Sequence, residues 1–311
     1  MTYPQVGLFA VGSPSHSYLE FKTEPQSSNL DLIKAVANME FLQSTVNGLN
    51  LVIGVRPSIW SSLAPSDLPP GIFDFGESLI GPDGFAMPAT QRDLWLWISG
   101  QSTSQVFDAG LGIINILSAY ATIVEDISGW SYRQNRDLTG FIDGSANPSL
   151  LEAPEIALFP HRTPGAGGSI LLFQKWRHNL KSFGGLSMKE QEMVIGRTKE
   201  MSYEFEEKDL PSNSHVARTT LTADGRELPI FRRNVSYGTP TDHGTVFVGF
   251  SNDQSRLHEM LKKMTGIPDG TRDALTHFTT PLTGSYYFIP SIDSLRKFAD
   301  RTEFLSARSE L

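Results

Sequence analysis

Two stretches far apart in the chain follow one order, and that order narrows the possible folds more than any other feature. Trp95-Leu96-Trp97-Ile98-Ser99-Gly100 and Phe247-Val248-Gly249-Phe250-Ser251-Asn252 are each an apolar strand that runs into a polar turn and then a helical pattern. The likeness lies in patterning, not identity. It predicts an α+β chain of two similar halves, each an antiparallel sheet with helices on one face, the two sheets packed across a shared interior. A chain of 311 residues exceeds one comfortable core, which suits two such units, 1–140 and 141–311.

The finer pattern fills in this outline. Val6 to Val11 is expected to be a short strand and His16 to Phe21 a half-buried one. A helix is expected from about Leu30 to Val46, with Leu32, Val36 and Met39 on one face and Ser27, Ser28 and Asn29 as candidate caps. Asn50 to Val55 reads as a strand, Pro57 to Pro88 as a long loop rich in proline and glycine, and Leu94 to Ile98 as a fully buried strand. A helix through Val106, Leu111, Ile114 and Leu117 then leads to a strand from Ala121 to Ile127. In the second half, strands are expected at Ser169–Phe173, Thr245–Phe250 and Ser285–Ile289. Between them, Ser187 and Glu190 form a capping box for a helix to Lys199, and Ser251-Asn252-Asp253-Gln254 caps a helix through Leu257, Met260, Leu261 and Met264.

Charge and cysteine usage remove several functions. With 26 basic against 34 acidic residues, a net charge of -8 argues against nucleic acid as a partner. The sequence has no cysteine, which excludes a thiol nucleophile, a thiolate metal ligand, an iron–sulfur cluster and covalent c-type haem. Any metal or haem must be held by His, Tyr, Met or carboxylates. The longest apolar run, Gly110 to Val124, is too short and mixed to span a bilayer and reads as a helix passing into a strand. Met1 to Ser17 shows no secretory pattern, so a cytoplasmic protein without membrane attachment is expected.

Three segments carry candidate chemistry. Gly140-Phe141-Ile142-Asp143-Gly144-Ser145-Ala146-Asn147-Pro148 holds a single acid among uncharged residues, between glycines that allow close backbone approach. Asp-Gly is also a common surface turn. Phe141 and Ile142 would be wasted on one, so Asp143 is expected to face an apolar place that raises its pKa. His215 stands among small polar neighbours in Ser212-Asn213-Ser214-His215, whereas His178 and His258 sit in ordinary contexts. In Ile230-Phe231-Arg232-Arg233-Asn234, alternation puts Arg232 and Asn234 on one face and Arg233 on the other, a buried cation beside an amide or else a surface pair.

In this order the three segments resemble the dye-decolorizing peroxidase family of haem proteins, and the short loops are similar to its cytoplasmic bacterial members. The resemblance covers most of the chain and implies duplicated ferredoxin-like halves, with most of a haem b site in the second. It further implies that His215 is the proximal iron ligand and Asp143 the distal acid, with Arg232 and Asn234 as the distal polar group. Ile142, Gly144 and Ser145 would lie against the haem, and Arg197 would meet a propionate. Asp273 would hold the His215 ring, with Asp269 as the alternative, because His277 stands where the family pattern expects an acid. The implied reaction is reduction of hydrogen peroxide with oxidation of a dye or phenolic reductant, in a homo-oligomer. Trp176, Trp130, Tyr132 and Tyr237 could pass electrons or simply pack. A haem-delivery or iron-release protein with little turnover is the other function such a pocket would suit.

Overall fold

The computed structural model describes residues 2–39 and 48–300. Eight strands build its frame: β1 (Ser15–Thr23), β2 (Asn50–Val55), β3 (Leu94–Gly100), β4 (Ala121–Trp130), β5 (Ser169–His178), β6 (Val235–Gly238), β7 (His243–Ser251) and β8 (Ser285–Ile289). They are hydrogen-bonded in the order β7-β6-β4-β1-β3-β2-β8-β5. β5 then pairs back onto β7, from Gly244↔Arg177 to Ser251↔Ile170, and closes the sheet into an antiparallel barrel. Phe231–Arg232 adds to β7 and Thr279–Pro281 to β5, which brings the sheet to ten strands.

This corrects the expectation of two separate sheets. The halves are joined edge to edge, at Ser236↔Trp130 and Tyr237↔Gly129 on one side and Phe288↔Val55 on the other. Two open sheets would each leave edges of unpaired N–H and C=O groups, and joining those edges satisfies them. Tyr18, Trp95, Trp97, Phe173, Phe250 and Tyr287 fill the barrel interior. Alternate residues, among them Leu19, Leu96, Ile98, Leu172 and Phe288, face outward to meet the helices. Buried on both faces, β3 is apolar from Leu94 to Ile98.

Helices α1 (Asn29–Ala37), α2 (Thr103–Leu117), α3 (Met188–Ile195), α4 (His215–Thr219) and α5 (Gln254–Thr265) lie outside the ring. α1 is capped by Ser28 and closes at Ala37, so Met39, expected on its face, lies beyond it; residues 40–46 of the expected span fall outside the described residues. α2 buries Val106, Ala109, Ile113 and Leu117, whereas Leu111, expected on that face, is 49% exposed. The Ser187–Glu190 capping box opens α3 as expected, but left-handed Gly196 ends it before Lys199. Val6–Phe9 is a 3-10 turn rather than a strand, since the closed ring offers it no free edge. The loop expected from Pro57 to Pro88 contains a helix at Pro57–Leu63 and a small hairpin of Leu79–Ile80 with Ala86–Met87.

Trp97 joins several parts of the interior. It is 1% exposed, its indole N–H donates to His16 Nδ1 at 3.0 Å, and the Arg233 guanidinium lies 5.0 Å over its ring. Trp97→Ala is expected to cost about 3–5 kcal/mol, through lost burial and the cavity left behind. A fall in the urea midpoint at unchanged slope checks it; an unmoved midpoint would contradict a barrel interior that carries the stability.

Candidate active site

A cavity opens on the outer face of β5 and β7, beneath α4 and α5. Gln174, Trp176 and His178 come to it from β5, Thr245 and Phe247 from β7, and Met260 and Met264 from α5. With its mouth it holds about 1490 Å³ of empty space.

The 135–148 segment enters this cavity as a folded-back loop. Asp143 N donates to Asn135 O at 2.8 Å, Asp137 N to Phe141 O at 2.8 Å, and Arg136 bridges Ile142 through the backbone. Gly140 makes the turn at φ +93°, where a Cβ would also lie 2.8 Å from Lys199 Cε. Phe141 packs in a small cluster with Phe183 and Ile195 at the edge of the cavity, and Ile142, Asp143, Gly144 and Ser145 continue the wall.

Asn147 ties the loop to the next segment. Its side chain acts as a strand partner, donating to Arg232 O at 2.7 Å and accepting from Arg232 N at 2.9 Å. Just beyond, the ladder to β7 is interrupted: Val248 N donates to the Asn234 side-chain oxygen at 3.0 Å. That bond fixes the amide, so its N–H₂ faces Asp143 and donates to Oδ1 at 3.3 Å. The two arginines serve opposite faces. Arg232 lines the cavity, with Nε buried and without a hydrogen-bond partner among the described residues, whereas Arg233 turns into the barrel and donates to the carbonyls of Leu8 and Ala10. The surface-pair alternative is therefore excluded.

Burial raises the pKa of Asp143; the Arg232 charge opposes this, and the nearby Asp137 carboxylate adds to it. For Arg232, burial lowers the proton affinity of the guanidinium and Asp143 works against that.

His215 begins α4, where Ser214 caps the helix by accepting from Ala217 N at 3.3 Å. Its Nδ1 lies 2.7 Å from Asp273 Oδ2, and Asp273 is fully buried. The other Asp273 oxygen accepts from Leu275 N at 2.9 Å, and Ala274 N donates to Asn213 O at 2.8 Å, which clamps both segments together. A proton on Nδ1 leaves the Nε2 lone pair of this cavity-lining ring without a protein partner among the described residues. Asp269 is engaged elsewhere, in a two-point bond to Arg218 at 2.8 Å for each contact. His277 is exposed and is not part of the cavity wall.

Arg197 also reaches the wall, but it is already held by Ser202 O at 3.1 Å and by an ion pair with Glu204. Trp176 is buried at the wall, Trp130 is 37% exposed at the end of β4, and Tyr237 points into the barrel under the Lys175 ammonium. Sequence reasoning overlooked Asp137, Asn147, Gln174 and Thr245 and dismissed His178. Asn147 was within reach, since it lies in the singled-out loop. Thr245 and His178 meet Asp137 only through the pairing of β5 with β7, which leaves no local signal.

The sequence model described as Dyp-type peroxidase, C-terminal, matches residues 134–294, which carry Asp143, His215, Arg232, Asn234 and Asp273. The chain belongs to the Dyp-type peroxidase family. The dye-decolorizing peroxidase of Mycobacterium tuberculosis is 34% identical over 252 residues, 79% of this chain and 75% of that protein. That of Rhodococcus erythropolis is 32% identical over 253 residues, covering 80% and 74%. Among solved structures, a Dyp-type peroxidase protein of Shewanella oneidensis superposes with a TM-score of 0.90 at 30% identity, over 96% of this chain and 100% of that one. A DypB variant of Rhodococcus jostii in complex with haem gives 0.85 at 32% identity, over 92% and 96%.

Proposed function

We propose that this member of the Dyp-type peroxidase family is a haem peroxidase that reduces hydrogen peroxide and oxidises dyes or phenolic compounds. The observation that carries the reading is a histidine braced by a buried carboxylate on the same cavity as an Asp–Arg–Asn group. The family's haem-bound relative supports it.

The donor set suits haem b. Among the described residues no three His, Asp or Glu side chains converge to hold a bare metal ion. A lone imidazole fits a metal that brings its remaining ligands in a macrocycle. Ile142, Ile230, Phe247, Met260 and Leu275 supply apolar wall for such a ring, and Gly144 and Ser145 allow close approach. His215 is assigned as the iron ligand, and Asp273 as the group that fixes the ring and raises its basicity. Arg197 is assigned to a propionate, with Glu204 giving way as competing anion.

When bound, haem supplies the redox centre at which peroxide takes up two electrons. The chain's own contribution is proton handling and charge. Protonated Asp143 can donate to the departing oxygen and, once ionised, take the proton that the other peroxide oxygen gives up; Asn234 holds the carboxyl group by donating to Oδ1, and Arg232 offers a fixed positive charge with an N–H that has no hydrogen-bond partner among the described residues. Steady-state turnover of a dye with peroxide separates this reading from haem delivery, for which turnover would be absent.

Activity toward bulky dyes is expected to be highest at acid pH. The raised pKa keeps Asp143 protonated above the usual carboxylate range, and that form is lost as pH rises through it. Dye oxidation also consumes protons. A profile that is flat or climbs through neutrality would refute this.

The halves fit a duplicated ferredoxin-like unit divided at 140/141. β1, β2, β3 and β4 lie side by side in the order 4-1-3-2, and β5, β6, β7 and β8 do the same in their own numbering. A cysteine-free chain suits a reducing, cytoplasmic setting. No helix among the described residues is long and apolar enough to cross a membrane. A homo-oligomer is part of the same reading, and sedimentation of the haem-loaded protein tests it.

A further inference from the structure

We propose that Asp137 is a positioning residue for Asp143, holding its loop on the barrel and setting its proton affinity through charge, with His178 as the partner that moderates that charge. This rests on the reading of Asp143 as the proton-handling group.

Asp137 is an anchored anion. Oδ1 accepts from Thr139 N at 2.8 Å and Thr139 Oγ1 at 2.6 Å, and Oδ2 accepts from Thr245 Oγ1 on β7. Donors on both oxygens favour the carboxylate: burial alone pushes its pKa up, but the attraction of His178 and these hydrogen bonds leave it below the usual range. Through Thr245 the carboxylate pins the loop to the sheet. Its backbone pairs with Phe141 while Asp143 pairs with Asn135, so the two acids are diagonal neighbours on one turn of chain, and both line the cavity.

His178 completes the group. It ends β5 beside β7, with Nδ1 buried, without a hydrogen-bond partner among the described residues, and 3.8 Å from Asp137 Oδ1. That is too long for a hydrogen bond and short enough for a charge interaction in a dry site. The other charges nearby are committed. Arg232 faces Asp143 itself, with Glu227 and Arg197 beyond it. Arg136 is bound by the carbonyls of Gly140, Lys199 and Glu200, and Lys199 lies over Phe141. Asp137 is thus the anion, and His178 the imidazole beside it, through which the loop acid is tuned from behind.

The test follows the infrared carboxyl band that disappears in Asp143→Asn, titrated in the full chain with and without haem, beside the pH profile of the peroxide reaction. Asp137→Asn removes a like charge and shifts the band's midpoint to lower pH, and the profile follows. His178→Gln leaves Asp137 uncompensated and shifts the midpoint to higher pH. An unmoved midpoint in either variant, or two shifts of the same sense, overturns the proposal. If Asp137→Asn does not fold, His178→Gln decides alone. A peroxide reaction indifferent to Asp143→Asn would defeat the functional role of Asp143, a result the haem-free titration tells apart from absent coupling.

Discussion

His215→Ala is expected to abolish normal haem uptake. No other side chain of the cavity offers a braced imidazole: His178 sits beside Asp137 at a distance too long for a hydrogen bond, and His277 lies off the wall. With no cysteine anywhere in the chain, no thiolate can take over. Titration with haem should give no Soret band of the wild-type position and intensity. Asp273→Asn is the graded companion. The ring keeps a polar neighbour but loses the carboxylate that fixes its tautomer, for which a drop of about 10–100-fold in haem affinity is expected. Full, normally placed absorbance in His215→Ala would assign the iron ligand elsewhere. An Asp273→Asn protein with wild-type affinity would reduce Asp273 to a cap for the turn at Ala274–His277.

What the sequence discloses and what it hides divide along physical lines. Local patterning places β3, β7 and β8, because a strand buried on both faces is expected to be largely apolar, and β3 is apolar from Leu94 to Ile98. Alternation alone separates Arg232 and Asn234 from Arg233, and the structure sends them to opposite sides of the sheet. Closure is different. It depends on β5 finding β7 and on β2 finding β8, pairings across more than half the chain in the second case, and side-chain patterns name no partner. Two separate sheets and one ring have the same alternating strands. The same gap hides the Asp137–Thr245–His178 group, whose members come together only once the ring exists. The motif segments were legible because each is short and acts through its own loop, and Asp273 could be put forward for His215 only through the family resemblance.

Arg232→Leu should slow the reaction with peroxide more than Asp143→Asn at every pH. A carboxyl can take a proton and give it back, whereas an arginine stays charged and offers only hydrogen bonds and field. The local geometry favours the second contribution. Asn147 holds the Arg232 backbone at both its N–H and its C=O, so the guanidinium is presented from a fixed backbone, and its Nε has no hydrogen-bond partner among the described residues to compete with an incoming oxygen. Removing one such preorganised donor costs about 10²–10³-fold. The task of Asp143 can be shared with water, and an asparagine there still accepts from the Asn234 amide, so the scaffold survives the change. If the proton relay matters, its loss should shrink as pH rises and more peroxide arrives already ionised. Stopped-flow rates against peroxide concentration for both variants, over a range of pH, rank the two. A rate for Asp143→Asn far below that of Arg232→Leu would reverse the order and make proton transfer, rather than charge, the larger part of the barrier.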